Sequence, residues 1–272
     1  MGVRGVLFKC CQESEPGLSV KTFCVRIQNL ATLQCILFGL KKSSPVNLER
    51  LGSSYGGWYV PTEFSKINNF EKFLISVGIG HDVTFDIELQ KRGFKVVAID
   101  PLEECCNFAR SSDLDQSKTK IINSGLWLNS GETRFYPPKL ETHDSWSITN
   151  SQYTSKAVSK FFPTVTLEDV FKEIGNIKSQ QVIMLKMDIE GAERFLFKEI
   201  ESNLNRLDFI GIELDYIHLL PFLKFIERIK LILEARKTIT ILRKRGLFLI
   251  FNDDFNFFWI NEIYLSKIKV QN

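Results

Sequence analysis

Short apolar runs that stop abruptly at glycine or aspartate constrain the fold of this chain more than any other feature. Residues 73–77, Phe-Leu-Ile-Ser-Val, end at Gly78, and residues 95–99, Lys-Val-Val-Ala-Ile, end at Asp100. Runs of this length and composition are typical of parallel strands that are buried on both faces. A helical pattern separates the two runs and another follows them. The alternation therefore predicts an α/β fold with a doubly wound, mostly parallel sheet.

The same alternation continues along the rest of the chain. The sequence predicts seven strands, at residues 73–77, 95–99, 119–122, 182–187, 209–214, 247–251 and 257–265. Predicted helices lie at residues 83–91, from 101 through 108, at 166–174, at 192–200 and after Pro221. The last two strands should form a C-terminal antiparallel hairpin through residues 252–254, and a second hairpin-like stretch is predicted at residues 129–136.

Length, charge and cysteine usage narrow the class of protein. A chain of 272 residues with 44% hydrophobic content has ample material for one large α/β domain, which we assign to residues 52–272. Residues 1–51 are expected to be an N-terminal extension, for which a helical structure is one option. The net charge of +3 favours neither nucleic acid nor an anionic membrane, and no apolar stretch approaches the roughly 20 residues that span a bilayer. Six cysteines without metal or redox spacing indicate reduced thiols, and hence a cytoplasmic protein.

Two glycines and one aspartate indicate a nucleoside site. In a doubly wound fold ligands bind beyond the carboxyl ends of the strands, where Gly78 and Gly80 follow the first strand. Asp100 ends the next strand about 20 residues later, at the spacing where an acid accepts hydrogen bonds from ribose hydroxyls. Nicotinamide enzymes share this arrangement, but their fingerprint wants a third small residue where this chain has Val83.

A motif further along the chain is more specific. Residues 186–193 read Lys-Met-Asp-Ile-Glu-Gly-Ala-Glu, which places Asp188 at the end of another buried strand, facing the same crevice as Gly78. Here the chain resembles the FkbM-type family of S-adenosylmethionine-dependent methyltransferases. The resemblance extends, in the family's order, to three further stretches: residues 55–58, 77–86 and 98–101. It covers roughly residues 52–265.

The resemblance implies a Rossmann-like class I methyltransferase fold, with S-adenosyl-L-methionine as the cofactor. It implies that Gly78, Gly80 and Asp100 hold the methionine and ribose portions of the cofactor. Asp188 would lie near the cofactor's amino group or the transferred methyl. Ser76 stands where many methyltransferases of this fold carry an acid that binds the methionine amine, so that role is predicted to pass to Asp82 or Asp188. The implied acceptor is a hydroxyl, often on a sugar, glycan or polyketide-like small molecule.

The adenine contact and the general base are less determined. Residues after the third strand could bind the adenine ring, and Leu126 or Trp127 would stack on it. Transfer to a poorly acidic hydroxyl needs a group that takes its proton. The candidates are Asp188, Glu190, Glu213, His218 and, in the long polar segment 139–164, His143. No dense set of metal ligands appears, so we expect no metal, although Asp188, Glu213 and Asp215 end neighbouring strands.

Three functions remain open from the sequence. The leading prediction is an S-adenosylmethionine-dependent O-methyltransferase with a small-molecule or glycan acceptor. The alternatives are a NAD-binding oxidoreductase on the same fold and a methyltransferase-like module that binds without catalysis. The sequence does not determine the acceptor, the oligomeric state or the role of residues 1–51.

Overall fold

A computed structural model describes most of the chain from residue 47 onward. The predicted N-terminal extension up to residue 46 lies outside the described residues, as do His143 and His218. The described residues are 47–62, 64, 67, 70–138, 145–149, 158–175, 180–215, 225–253 and 256–264.

Twelve strands and five α-helices of eight or more residues lie in the described part of the chain. The strands are β1 (Leu48–Leu51), β2 (Trp58–Pro61), β3 (Glu71–Val77), β4 (Phe94–Asp100), β5 (Thr119–Asn123), β6 (Gly125–Leu126), β7 (Gly131–Phe135), β8 (Lys160–Val165), β9 (Gln181–Met187), β10 (Phe209–Glu213), β11 (Leu247–Asp253) and β12 (Asn256–Asn261). The α-helices are α1 (Thr84–Lys91), α2 (Glu103–Ser111), α3 (Leu167–Ile174), α4 (Glu193–Ser202) and α5 (Phe225–Lys244). Two short 3-10 turns lie at Gln116–Lys118 and Leu204–Arg206.

Seven of these strands form one sheet, in the order β11-β12-β10-β9-β3-β4-β5. All neighbours pair in parallel except β12, which runs antiparallel to both β10 and β11. The predicted mostly parallel seven-stranded sheet with a C-terminal antiparallel hairpin is therefore confirmed. The predicted bounds of the hairpin are wrong: residues 252 and 253 pair within the ladder instead of turning, and the last strand ends at Asn261, after which residues 262–264 are helical. Every residue of β9 is buried, as expected for a central strand that helices cover on both faces.

Large aromatic side chains fill the space beside the central strands. Phe64 lies 4.4 Å from Phe209 and 5.8 Å from Phe258, measured between ring centroids. Trp58 of β2 packs 6.4 Å from Phe85 of α1, so the β1–β2 ribbon contributes to the same core. The sequence pattern did not predict this ribbon, because glycines on either side of its connection made residues 52–61 resemble a loop.

Helix starts follow local capping chemistry. Thr166 caps α3 in a reciprocal pair with Asp169, which agrees with the predicted start at residue 166 or 167. The predicted start of α2 at Pro101 is wrong by two residues: α2 begins at Glu103. The reason is that Asp100 Oδ1 accepts a hydrogen bond from the Leu102 amide, which holds the chain extended. In the described part of the chain, no helix is long and apolar enough to cross a membrane.

The predicted hairpin at residues 129–136 is wrong. β7 pairs antiparallel with β8, a strand that lies about 30 residues later in the chain and that the sequence did not predict. β8 also pairs in parallel with β6, which gives a separate three-stranded sheet in the order β6-β8-β7. Local alternation predicted the extended conformation of β7 but not its distant partner.

Candidate active site

A crevice opens at the carboxyl ends of the parallel strands. It holds about 870 Å³ of space between the lining residues, a volume that includes open solvent. The turns after β3, β4, β5 and β9 line it, together with part of the β1–β2 connection and the segment before β8. The contributing stretches are residues 55–56, 77–82, 99–102, 124–126, 145–148 and 186–192.

The glycine turn after β3 forms the floor of this crevice. Gly78 and Gly80 adopt φ angles of +72° and +51°, a region that costs other residues free energy. A Cβ atom at Gly78 would lie 1.7 Å from the carbonyl oxygen of Asp188. The turn after β3 and the turn after β9 thus approach each other too closely for any side chain. This is the physical reason for glycine at position 78.

Asp100 supports the glycine turn from the neighbouring strand. Its Oδ2 atom accepts hydrogen bonds from the amides of Ile79 and Gly80, each 3.1 Å long, and its Oδ1 atom accepts one from Leu102 at 2.9 Å. The side chain is only 5% exposed. The carboxylate lines the crevice at the predicted ribose position, and it also fixes the glycine turn, a role that the sequence did not indicate.

Lys186 holds the opposite side of the same turn. Its Nζ atom donates a 2.8 Å hydrogen bond to the carbonyl oxygen of Gly78 and lies 6.0 Å from the centre of the Trp58 ring. The side chain is 5% exposed. Beneath it lies the buried carboxyl of Asp86, whose pKa is raised by burial and partly lowered again by the charge of Lys186. A buried ammonium and a buried carboxyl therefore underlie the floor of the crevice.

Asp82 ties the β1–β2 connection to the start of α1. Its carboxylate accepts hydrogen bonds from the hydroxyl of Ser53, the amide of Gly56, and both the amide and the hydroxyl of Thr84. Burial alone would raise the pKa of Asp82, but these hydrogen bonds hold it below the ordinary value of 3.8. Asp82 lines the crevice, with four protein donors already directed at its carboxylate.

Asp188 and Glu190 lie on the turn after β9. The Asp188 amide donates to the carbonyl oxygen of Val77 at 3.1 Å, and both acidic residues line the crevice. Glu190 has a φ angle of +57°, which is uncommon for a residue with a side chain. Its carbonyl oxygen accepts hydrogen bonds from the hydroxyls of Ser147 and Thr149, at 2.8 and 3.2 Å. These contacts fasten the segment before β8 to the mouth of the crevice.

Two further acids lie behind this turn, at the end of β10. Burial raises the pKa of Glu213 well above its ordinary value, and the nearby charges of Asp188 and Glu190 raise it further. The pKa of Asp215 is raised in the same direction, first by burial and then by Glu213. Although these acids are close neighbours, the described residues contain no group of three or more side chains arranged to hold a metal ion.

Apolar side chains form the wall opposite the acids. Leu126 is buried and lines the crevice together with Phe135, Trp146 and Ile148. Trp127, the other residue predicted to contact adenine, packs instead against Phe195 of α4, with ring centroids 5.9 Å apart. Of the two predicted residues, only Leu126 faces the crevice.

The histidine predictions have different outcomes. His143 and His218 lie outside the described residues, so their roles remain predictions. His81, which was not predicted from the sequence, lines the crevice. Its Nδ1 atom lies 3.9 Å from Cys105 Sγ, and its ring packs against Phe108. The signal that could have identified His81 was its place directly after Gly80.

The fold and the crevice together define a Rossmann-like α/β domain with a ligand site at the carboxyl ends of its parallel strands. Residues 53–239 match the model of the Methyltransferase FkbM domain, and this match spans more than half of the chain. The protein therefore belongs to the FkbM methyltransferase family, which confirms the resemblance noted for residues 186–193. No curated protein is similar enough in sequence to count as a match.

Solved structures of other methyltransferases are similar at low identity. The methyltransferase domain of METTL16 is 13% identical with a TM-score of 0.36, over 86% of this chain and 80% of that one. A methyltransferase from Pyrococcus furiosus is 15% identical with a TM-score of 0.31, over 87% and 96% of the two chains. Coclaurine N-methyltransferase, bound to N-methylheliamine and SAH, is 10% identical with a TM-score of 0.28, over 77% and 55%. Similarity at this level gives no information about the acceptor.

Proposed function

We propose that this methyltransferase uses S-adenosyl-L-methionine and transfers its methyl group to a hydroxyl of a sugar, glycan or polyketide-like small molecule. The choice of cofactor rests on one observation: backbone amides of the glycine turn and of the start of α1 already donate hydrogen bonds to protein carboxylates. Dinucleotide enzymes direct the amides of this turn and of the following helix at a pyrophosphate. In this chain Asp100 already accepts from the amides of Ile79 and Gly80, and Asp82 from that of Thr84.

The charge of the crevice supports the same choice. Among the described residues, its lining contains one lysine, whose ammonium is directed at Gly78, and four acids: Asp82, Asp100, Asp188 and Glu190. A pyrophosphate would be repelled by such a surface, because like charges at close range disfavour binding. S-adenosylmethionine carries a net positive charge, from its sulfonium and amino groups, and is attracted by it.

The crevice residues fit the parts of this cofactor. Asp100 would accept hydrogen bonds from the ribose hydroxyls, and Leu126 would pack on adenine beside Ser124 and Gly125. Asp188 or Asp82 would receive the methionine amino group, with Asp188 better suited because Asp82 already accepts from four protein donors. When bound, the cofactor supplies an electrophilic methyl group on its sulfonium.

The protein has to align the acceptor and receive its proton. The carboxylates of Asp188 and Glu190 lie on the same turn at the mouth of the crevice, so either could accept a proton from a hydroxyl placed between this turn and Trp146. His143 and His218 remain candidates for the same role. Trp146 and Ile148 would cover the acceptor and exclude water from the transfer.

Calorimetric titration tests the cofactor. We expect S-adenosylmethionine and S-adenosylhomocysteine to bind and NAD to give no heat. Binding of NAD without S-adenosylmethionine would instead support an oxidoreductase. Turnover of sugar-containing acceptors with methyl-labelled cofactor separates an enzyme from a binding module. Asp188→Asn should lower turnover at least about tenfold, whereas Asp113→Asn on the exposed surface should leave it unchanged.

A further inference from the structure

The outer face of α5 presents an unusual surface to solvent. Nine positions at helical spacing form this face, and all nine are exposed. These nine residues are termed the outer stripe. They lie opposite the buried residues Leu231 and Leu242, because a helix turns about 100° per residue. The outer stripe consists of Ile226, Ile229, Lys230, Leu233, Arg236, Lys237, Thr240, Arg243 and Lys244.

The outer stripe is divided along its length. Its first two turns carry large apolar side chains, with exposed fractions of 67% for Ile226, 41% for Ile229 and 58% for Leu233. Its remaining turns carry basic residues. A surface helix of a monomeric protein ordinarily places polar groups on its outer face. The basic part agrees with that rule, and the three exposed apolar side chains do not.

The positive charge of the outer stripe is concentrated, although the exposed acids Glu227 and Glu234 lie elsewhere on the same helix. Five of its nine residues are basic and none is acidic. None of the five makes an ion pair with an acid in the described part of the chain, since the two arginine pairs near α5 use Arg194 and Arg245 instead. The whole chain has a net charge of only +3. A single helix face therefore carries more positive charge than the protein as a whole.

The apolar end of the stripe lies on the crevice side of the sheet. Arg194, at the start of α4, pairs with Glu234, and Glu201, near its end, pairs with Arg245. These two pairs show that α4 and α5 run in the same direction. Because α4 begins at the turn after β9 that lines the crevice, the residues before Glu234 extend up to about 12 Å further in the direction of the crevice opening.

We propose that the outer stripe docks the protein on the surface of an anionic lipid bilayer. Ile226, Ile229 and Leu233 would enter the boundary between headgroups and acyl chains, and the basic residues would contact the negative headgroups, as interfacial helices do. A second copy of the chain fits less well, because two such stripes would place like charges opposite each other. Nucleic acid would attract the basic residues but leave the three apolar side chains without a partner.

Cosedimentation with lipid vesicles tests the proposal on the full chain without any methyl transfer. Vesicles of equimolar phosphatidylserine and phosphatidylcholine should bind the protein, and vesicles of phosphatidylcholine alone should not. The triple variant Lys230→Gln, Lys237→Gln and Lys244→Gln should reduce partitioning at least about tenfold. The triple variant Ile226→Ser, Ile229→Ser and Leu233→Ser should reduce it to a similar extent, because insertion is lost while the charge is kept.

Matched controls use the same substitutions on other surfaces. Lys91→Gln with Lys118→Gln and Lys120→Gln, and separately Phe161→Ser, should leave vesicle binding unchanged. Equal binding to both vesicle types, or to neither, would overturn the proposal. So would full binding by the serine variant, which would indicate a polyanion site, or a concentration-dependent dimer that Leu233→Ser dissociates. Unchanged thermal unfolding of each variant excludes misfolding as the cause.

Discussion

The ammonium of Lys186 donates a 2.8 Å hydrogen bond to the carbonyl oxygen of Gly78, in the turn after the neighbouring parallel strand β3. On the other side, the carboxylate of Asp100 accepts from the amides of Ile79 and Gly80. The glycine turn is thus held at its carbonyl by a cation and at its amides by an anion. Because both holding groups are buried, the turn is ordered before any cofactor arrives, and binding does not have to order it.

Removal of the Lys186 ammonium should weaken both folding and cofactor binding. Lys186→Met breaks the hydrogen bond to Gly78 and leaves the buried Asp86 without a nearby opposite charge, so we expect a loss of about 3 kcal/mol in the free energy of unfolding. Adding Asp86→Asn should restore part of the stability but not the affinity for S-adenosylmethionine. Urea unfolding and calorimetric titration measure the two effects. Full recovery of affinity in the double variant would contradict a role in holding the turn.

A methyl group at Gly78 should not be tolerated. Gly78→Ala places a Cβ atom 1.7 Å from the Asp188 carbonyl oxygen, which forces apart the two turns that line the crevice, so we expect more than about 3 kcal/mol of destabilisation. Gly175→Ala is the matched control, because its φ of +87° is also positive but nothing lies within 4 Å of the added atom. That variant should lose about 1–3 kcal/mol from backbone strain alone and keep its cofactor affinity.

Replacement of Asp100 by asparagine should weaken cofactor binding. The amide oxygen of Asp100→Asn can accept from Leu102 or from the glycine turn, but its NH₂ group must then face the other amides. We expect affinity for S-adenosylmethionine and S-adenosylhomocysteine to fall together by at least about tenfold, since both carry the ribose. Calorimetric titration of both ligands measures this. A loss confined to one ligand would argue against ribose binding.

Acid should unfold the protein partly through Asp82. The pKa of this group in the folded protein lies below its ordinary value of 3.8, so its hydrogen bonds stabilise the fold fully above that value. This stabilisation is lost as the pH falls below 3.8 and the carboxylate takes up a proton. Asp82→Asn should therefore lower stability at neutral pH and flatten the acid limb of a plot of urea midpoint against pH. Asp113→Asn, at an exposed acid, should leave the limb unchanged.

The segment before β8 should affect the acceptor more than the cofactor. Ser147→Ala with Thr149→Val removes the two hydrogen bonds to the Glu190 carbonyl oxygen and frees Trp146 from its fixed position. We expect the acceptor KM to rise several-fold while affinity for S-adenosylmethionine changes by less than about twofold. Steady-state kinetics with an acceptor that the enzyme methylates gives the KM, and calorimetric titration gives the affinity for S-adenosylmethionine. If the affinity for S-adenosylmethionine fell as much as the acceptor KM rose, the segment would contribute to cofactor binding instead.

The main sheet was predictable because its signals are local. Each central strand is a short apolar run that ends at glycine or aspartate, and the order of runs and helices determines a doubly wound sheet. β8 was missed because Pro163 interrupts its alternation and proline ordinarily argues against a strand. The structure tolerates Pro163 because β6 pairs only with Thr164 and Val165, so no ladder partner on that side needs its missing amide.

The sequence predicted the site residues that follow directly on buried strands, but not the contacts that support them. The pattern identified Gly78, Asp100 and Asp188 because glycine and acids follow buried strands, and the structure brings all three to one crevice. The supporting contacts of Asp82 and Lys186 were not predictable. They join residues that are 29 and 108 positions apart, and no local pattern determines which distant group a buried charge will meet.

The pairing of β7 with β8 closes the small sheet independently of what connects them. The entropic cost of such a connection grows only slowly with its length, and the strands that carry the glycine turn, Asp100 and Asp188 belong to the other sheet. The connection nevertheless delivers Trp146 and Ile148 to the crevice. Under the proposed function, a change in the length or composition of this connection would alter the acceptor, while the strands proposed to hold the cofactor would stay unchanged.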